Sequence, residues 1–224
     1  MSRPLPRLFR FALLFLLILC CAPVAAIADD AASTKTHEQA LQTPAGKFIE
    51  ELGDHAIKII ADKQISKDER DTEFSKILSD SFDLKTIGRF VIGRTWNSAT
   101  PDQQSEYMRL FKALVIKNYG ERMTLYTGEG FQVTGTRPES DMDTTVVSEI
   151  THPDGSQPTT IDWRVRNKDN KLGVIDVVVE GVSLSVTQKQ EYASVIQNNG
   201  GQIDGLLQVM RDQLKTPTTS ASKG

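Results

Sequence analysis

The stretch VIDVVVEGVSLSVTQKQEY, residues 174–192, reads as an apolar strand, a Glu-Gly turn and an amphipathic helix. The strand it ends, residues 172–182, is apolar on both faces, as an inner strand of a sheet should be. Beyond the turn, residues 187–197 carry Tyr192, Val195 and Ile196 at helical spacing, and Asn198-Asn199-Gly200-Gly201 stops the helix. A further helix over 203–214 carries Leu206, Leu207, Val209 and Met210. Residues 216–224 form a Thr/Ser/Pro tail expected to be disordered.

Reading back from this stretch, the hydrophobic period is 2 as far as Gly128. Phe131 and Val133 alternate with Gln132 and Thr134, and Val146, Ser148 and Ile150 alternate with Val147 and Glu149. Ile161, Trp163 and Val165 then face one way, while Asp162, Arg164 and Arg166 face the other. Pro153-Asp154-Gly155-Ser156 and Lys168-Asp169-Asn170-Lys171 read as turns. Four strands in meander order make an antiparallel sheet.

Before Gly128 the period is 3.6. Pro44 opens a helix with Phe48, Ile49, Leu52, Ile57, Ile59 and Ile60 near helical spacing. Ser66-Lys67-Asp68-Glu69 is a capping box for a second helix, with Phe74, Ile77, Leu78 and Phe82 on one side. Asp83 caps a short third helix that Gly93 ends. Thr100-Pro101-Asp102-Gln103 starts a long helix expected to reach about Tyr126. Its apolar stripe, which includes Phe111, Leu114, Val115, Tyr119 and Met123, is wider than a surface helix needs, so it should lie near the centre. Helices, four strands, then helices make an α+β fold.

The first 28 residues are a different object. Arg3, Arg7 and Arg10 precede an apolar run over 11–21, and Ala26-Ile27-Ala28 is an A-x-A cleavage signal. The run is too short to span a bilayer and fits a signal peptide cleaved after Ala28. Cys20 and Cys21 lie inside it, and Leu19 stands where a lipoprotein signal would have a small residue. The mature chain would thus hold no cysteine, and its own core must stabilise it. A domain of this size buries roughly 70% of its unfolded surface, which suffices. Residues 29–43 are small and polar and expected to be disordered, leaving one domain over 44–215. Taking the leader's three arginines from 26 basic residues leaves 23 against 29 acidic ones, a net charge of −6. That argues against nucleic acid and against overall attraction to anionic head groups.

Candidate chemistry is sparse. His37, His55 and His152 stand apart, and each reads as a surface residue, so no metal or other cofactor is expected. Ser183 and Ser185 lack the Gly that a nucleophile elbow requires, and read as a strand-to-helix corner with a hydroxyl bonded to backbone. Asp162 and Asp176 lie on strands and admit two readings. Either could be the general base of a cone-fold isomerase or hydrolase. Alternatively, Asp176 accepts backbone N–H groups or pairs with an Arg such as Arg164, the reading preferred here.

Four blocks of sequence resemble the MlaC, or toluene-tolerance, family. They are Phe90-Val91-Ile92-Gly93-Arg94-Thr95-Trp96 leading into Thr100-Pro101-Asp102-Gln103-Gln104; Tyr119 with Leu125, Tyr126 and Gly128; Asp176-Val177 through Glu180-Gly181-Val182-Ser183-Leu184; and Gly201 through Leu207. The resemblance implies a cone-like, NTF2-like sheet with helices packed over it and a hydrophobic cavity between them. It implies a periplasmic carrier of phospholipid, or of a hopanoid, and not an enzyme. Its partners would be an inner-membrane ABC transporter with an MCE-domain subunit and an outer-membrane lipoprotein complex, serving outer-membrane lipid asymmetry, with the carrier itself a monomer. Cavity-lining residues expected on that basis are Phe111, Leu114, Val115, Tyr119, Met123, Val147, Ile161, Trp163, Val165, Val177 and Val179. Such a carrier answers a physical need. Each methylene exposed to water costs about 0.8 kcal/mol, so roughly thirty from two acyl chains put bare transfer on the order of 20 kcal/mol uphill.

Overall fold

The computed structural model describes residues 30–62, 64–120 and 128–216. The proposed leader, the far end of the long helix with Met123, Leu125 and Tyr126, and the end of the tail lie outside the described residues. Helices α1 (Asp30–Leu41), α2 (Pro44–Ala61), α3 (Lys67–Ser81), α4 (Leu84–Ile92), α5 (Thr95–Ser98) and α6 (Pro101–Gly120) precede the sheet. Strands β1 (Gly130–Pro138), β2 (Asp143–Thr151), β3 (Thr159–Lys168), β4 (Lys171–Val179) and β5 (Val182–Ser183) follow, and then α7 (Leu184–Asn198) and α8 (Ile203–Lys215). The sheet is an antiparallel meander in the order β1-β2-β3-β4-β5.

The helix starts follow the local chemistry of the sequence. Ser66 and Glu69 form the reciprocal capping box at α3, and the Asp83 carboxylate accepts the Thr86 N–H at α4. Thr100 and Gln103 exchange backbone and side-chain bonds at the start of α6. Each arrangement satisfies donors that a helix end otherwise leaves orphaned.

Two expectations are corrected. The segment 29–43 is not disordered along its length, because Asp30–Leu41 is helical. Tertiary contacts anchor it. Ala40 is buried, and the half-buried His37 donates from Nδ1 to the Val133 carbonyl at 2.7 Å. Glu50 of α2 accepts the Val133 N–H at 2.9 Å. These bonds satisfy the edge strand β1 at its bulge between Val133 and Gly135, where it would otherwise offer backbone groups to another chain. The second correction is the strand count. The strand expected over 172–182 stops at Val179, turns at Glu180-Gly181, where both residues have positive φ, and returns as the two-residue β5.

Two apolar cores result. One joins α4, α6, α7 and α8 around Tyr107, Leu110, Leu206, Leu207 and Met210. Tyr107 stacks on Phe111 at 5.8 Å and meets Tyr192 edge-on at 6.3 Å. Arg211 grips Glu106 with a two-pronged bond at 2.8 and 2.7 Å, tying α8 to α6. The other core packs α1, α2 and α3 on the inner sheet face around Ile49, Ile77, Val133, Val146, Val165 and Val174. The bond from Asp83 N–H to the Val174 carbonyl at 3.0 Å pins the α3–α4 junction to β4.

Candidate functional site

Between the two cores lies a cavity of about 800 Å³. That is in the upper part of the roughly 300–1,000 Å³ range of small-molecule sites. The sheet gives one wall through Phe131, Ile150, Ile161, Trp163 and Val177. Register puts these side chains together: Phe131 pairs with Ile150, and Trp163 pairs with Val177. Facing them are Ala56, Ile57 and Ile60 of α2, Ile77 and Leu78 of α3, Ile87 and Val91 of α4, and Phe111, Val115 and Tyr119 of α6. Gly53 lets α2 approach this wall, since a Cβ there would fall 2.3 Å from the Phe131 ring.

Polar groups on the wall are few. The Trp163 indole donates to Ser148 Oγ at 2.9 Å, so its N–H is satisfied within the sheet. His152 bonds Thr159 through Nε2 at 3.0 Å. Gln188 of α7 lines the wall and donates to Glu191, whose carboxyl is pushed up by burial against the opposing effect of that bond. His37 and His152 are thus half-buried and bonded, unlike the surface residues expected, while His55 is exposed. Among the described residues, no group of three or more His, Cys, Asp or Glu is placed to hold a metal.

The two aspartates part company. Asp162 belongs to the outer face of the sheet, in a separate groove of about 270 Å³ with Arg137, Glu139 and Arg164. Asp176 is buried and touches both spaces. Its Oδ1 accepts from Ser185 Oγ at 2.7 Å, Ser185 N at 3.2 Å and Val177 N at 3.0 Å, and its Oδ2 from Ser183 Oγ at 2.7 Å. No ion pair with Arg164 is found among the described residues. The Ser183 hydroxyl also caps α7 through Val186 N–H. The carboxylate therefore fastens the end of the sheet to the first turn of α7, as a capping group does.

The expected lining residues divide. Phe111, Val115, Tyr119, Ile161, Trp163 and Val177 reach the cavity. Leu114 and Val165 are buried within the two cores instead. Val147 pairs with Asp162 and so lies on the outer face, because Val146 and Ser148 take the inner one. Val179 shares the inner face with its partner Ile161 but lies beyond the lining. Met123 is outside the described residues. The helical wall from α2, α3 and α4 was not among the expected residues, although its signal was present as the apolar stripes of those helices.

Comparison with known proteins bears on this arrangement. A family profile described as MlaC protein matches residues 50–212. The toluene tolerance protein ttg2D of Pseudomonas putida is 23% identical over 131 residues, which is 58% of this chain and 60% of that relative's length. A solved structure of a phospholipid-binding protein from Ralstonia solanacearum, in complex with a phospholipid, aligns with a TM-score of 0.65 and 26% identity. The alignment covers 76% of this chain and 98% of that one.

Proposed function

The chain belongs to the MlaC family, and from that premise we propose that it is a periplasmic lipid carrier whose cavity sheathes the acyl chains of a phospholipid. The observation that carries this reading is the apolar void between two well-packed cores. At about 800 Å³, and with a methylene taking about the 30 Å³ of a liquid water, it has room for roughly 25 methylenes. That is most of two tails. Moving them from water to this wall removes most of the cost of crossing an aqueous compartment. The head group stays in water, so no buried cation is needed to meet it.

On this reading the protein is not an enzyme. It takes lipid at one membrane and gives it up at the other, with an inner-membrane ABC transporter carrying an MCE-domain subunit and an outer-membrane lipoprotein complex as its docking partners. The phospholipid bound by the Ralstonia solanacearum relative supports the cargo assignment, and membership of the MlaC family supports the proposed partners and compartment.

Charged substitutions in the void test the proposal. Val115→Glu and Ile87→Glu place a carboxylate on half-buried wall positions. Each displaces two or three methylene contacts, so uptake of a fluorescent phospholipid from vesicles should weaken more than tenfold. The urea midpoint of the lipid-free protein should move little. Undiminished uptake by both variants would place the lipid elsewhere.

A further inference from the structure

α4 and α7 each turn one side to the cavity and the other outward. The outward sides hold Phe90 at 44% and Val186 at 41% exposed, and Val182 of β5, just before α7, is 56% exposed. Basic groups stand beside Phe90, and Lys189 lies one helical turn beyond Val186 on α7. Lys189 Nζ stands 4.4 Å over the Phe90 ring, and Arg89 lies 5.3 Å over Trp96. Arg94 follows Gly93, whose backbone the Lys189 stem approaches. Residues 84–101 contain no Asp or Glu in a chain that is acidic overall. Among the described residues, no ion pair ties Arg89, Arg94 or Lys189 to a carboxylate. Glu180, exposed at the margin, is engaged as acceptor of the Thr160 N–H.

We propose that this face, with Phe90, Val182 and Val186 exposed and Arg89, Arg94 and Lys189 on its α4 and α7 side, is where the protein rests on an anionic bilayer surface. The inference builds on the carrier reading and adds the face that meets the membrane. Exposed aromatic and aliphatic groups beside cations suit the headgroup boundary, where the apolar atoms enter and the cations stay with phosphate. The charge asymmetry decides orientation. An anionic surface repels the acidic bulk of the protein and attracts this one face, so the molecule arrives with the α4–α7 wall of its cavity against the lipid. Three cations give adhesion that is weak and reversible, as a shuttle requires.

The test is co-sedimentation of the purified full mature protein with vesicles of phosphatidylglycerol and phosphatidylcholine, against phosphatidylcholine alone. Native mass spectrometry of bound phospholipid is run on the same samples. Binding should favour the anionic vesicles and fall with salt. Arg94→Gln and Lys189→Gln, exposed or half-exposed changes that keep the side-chain stems, should each weaken it roughly fivefold. Phe90→Ser should also weaken it. Bound phospholipid should be unchanged in all three variants. Equal binding by variants and wild type, or no preference for anionic vesicles, overturns the proposal. Loss of binding to an acidic protein domain in these variants, without any vesicle binding, also overturns it and assigns the face to a protein partner. Loss of the bound phospholipid in wild type would instead count against the carrier reading itself.

Discussion

The α6–α7–α8 core and the space between sheet and α2–α4 are built from the same kinds of residue, yet one is solid and the other hollow. In the first, Tyr107, Leu206 and Met210 are fully buried and aromatic rings meet at 5.8 to 6.3 Å. In the second, Ile57, Ile60, Ile87, Phe131, Trp163 and Val177 point inward but stay half-exposed. Atoms around a void lack partners on one side and forfeit contact energy there. The hollow region is thus less well stabilised than it would be if filled, and cargo can supply the missing contacts.

The largest difference should come from truncation. Leu206→Ala leaves a new void in the solid core and should cost about 2–5 kcal/mol in urea unfolding. Ile57→Ala widens a void that already exists, so the lipid-free protein should lose less than about 1 kcal/mol, while lipid uptake falls. Equal costs would remove the distinction between the two regions.

An intermediate effect is expected at the fastening between them. Asp176→Ala strips the Ser183 and Ser185 hydroxyls and the Ser185 N–H of their acceptor. It should cost about 1–3 kcal/mol, read by thermal or urea unfolding. If Asp176 were instead a catalytic base, its loss would leave stability nearly intact.

The smallest effect concerns alkaline pH. Burial, aided by mutual proximity, raises the Tyr107 hydroxyl far above its usual value of about 10, and burial with the nearby Glu191 does the same for Tyr192. A raised folded value means the stabilisation is complete below the unfolded pKa and lost as pH climbs past it. Stability should therefore hold to about pH 10 and fall beyond. Tyr107→Phe gives up the bond to the Gly88 carbonyl, about 1 kcal/mol at neutral pH, but should flatten the alkaline decline. A decline as steep as in wild type would exclude Tyr107 as a source.

Much of this contrast was legible in the sequence and some was not. Local signals worked where the physics is local: Ser66, Asp83 and Thr100 cap helices, and the Asp169-Asn170 turn has both residues at positive φ. The helix over Asp30–Leu41 was missed because its support is tertiary, through His37 and Ala40 against other elements. The meander was readable from alternation, but alternation alone does not say which side of β2 faces in. Register with β3 decides that, and it turns Val147 outward. Leu114 and Val165 show the deeper limit. Periodicity marks an inward side chain, whereas whether it meets atoms or empty space depends on how two other elements pack.

The central claim, that the void is a lipid site, is tested most directly by native mass spectrometry of the gently purified mature protein, followed by solvent extraction of what it holds. The account predicts one phospholipid per chain, released on extraction and regained from vesicles. A hopanoid in its place would keep the carrier and change the cargo. A chain that carries nothing and takes up no lipid from vesicles would contradict the claim.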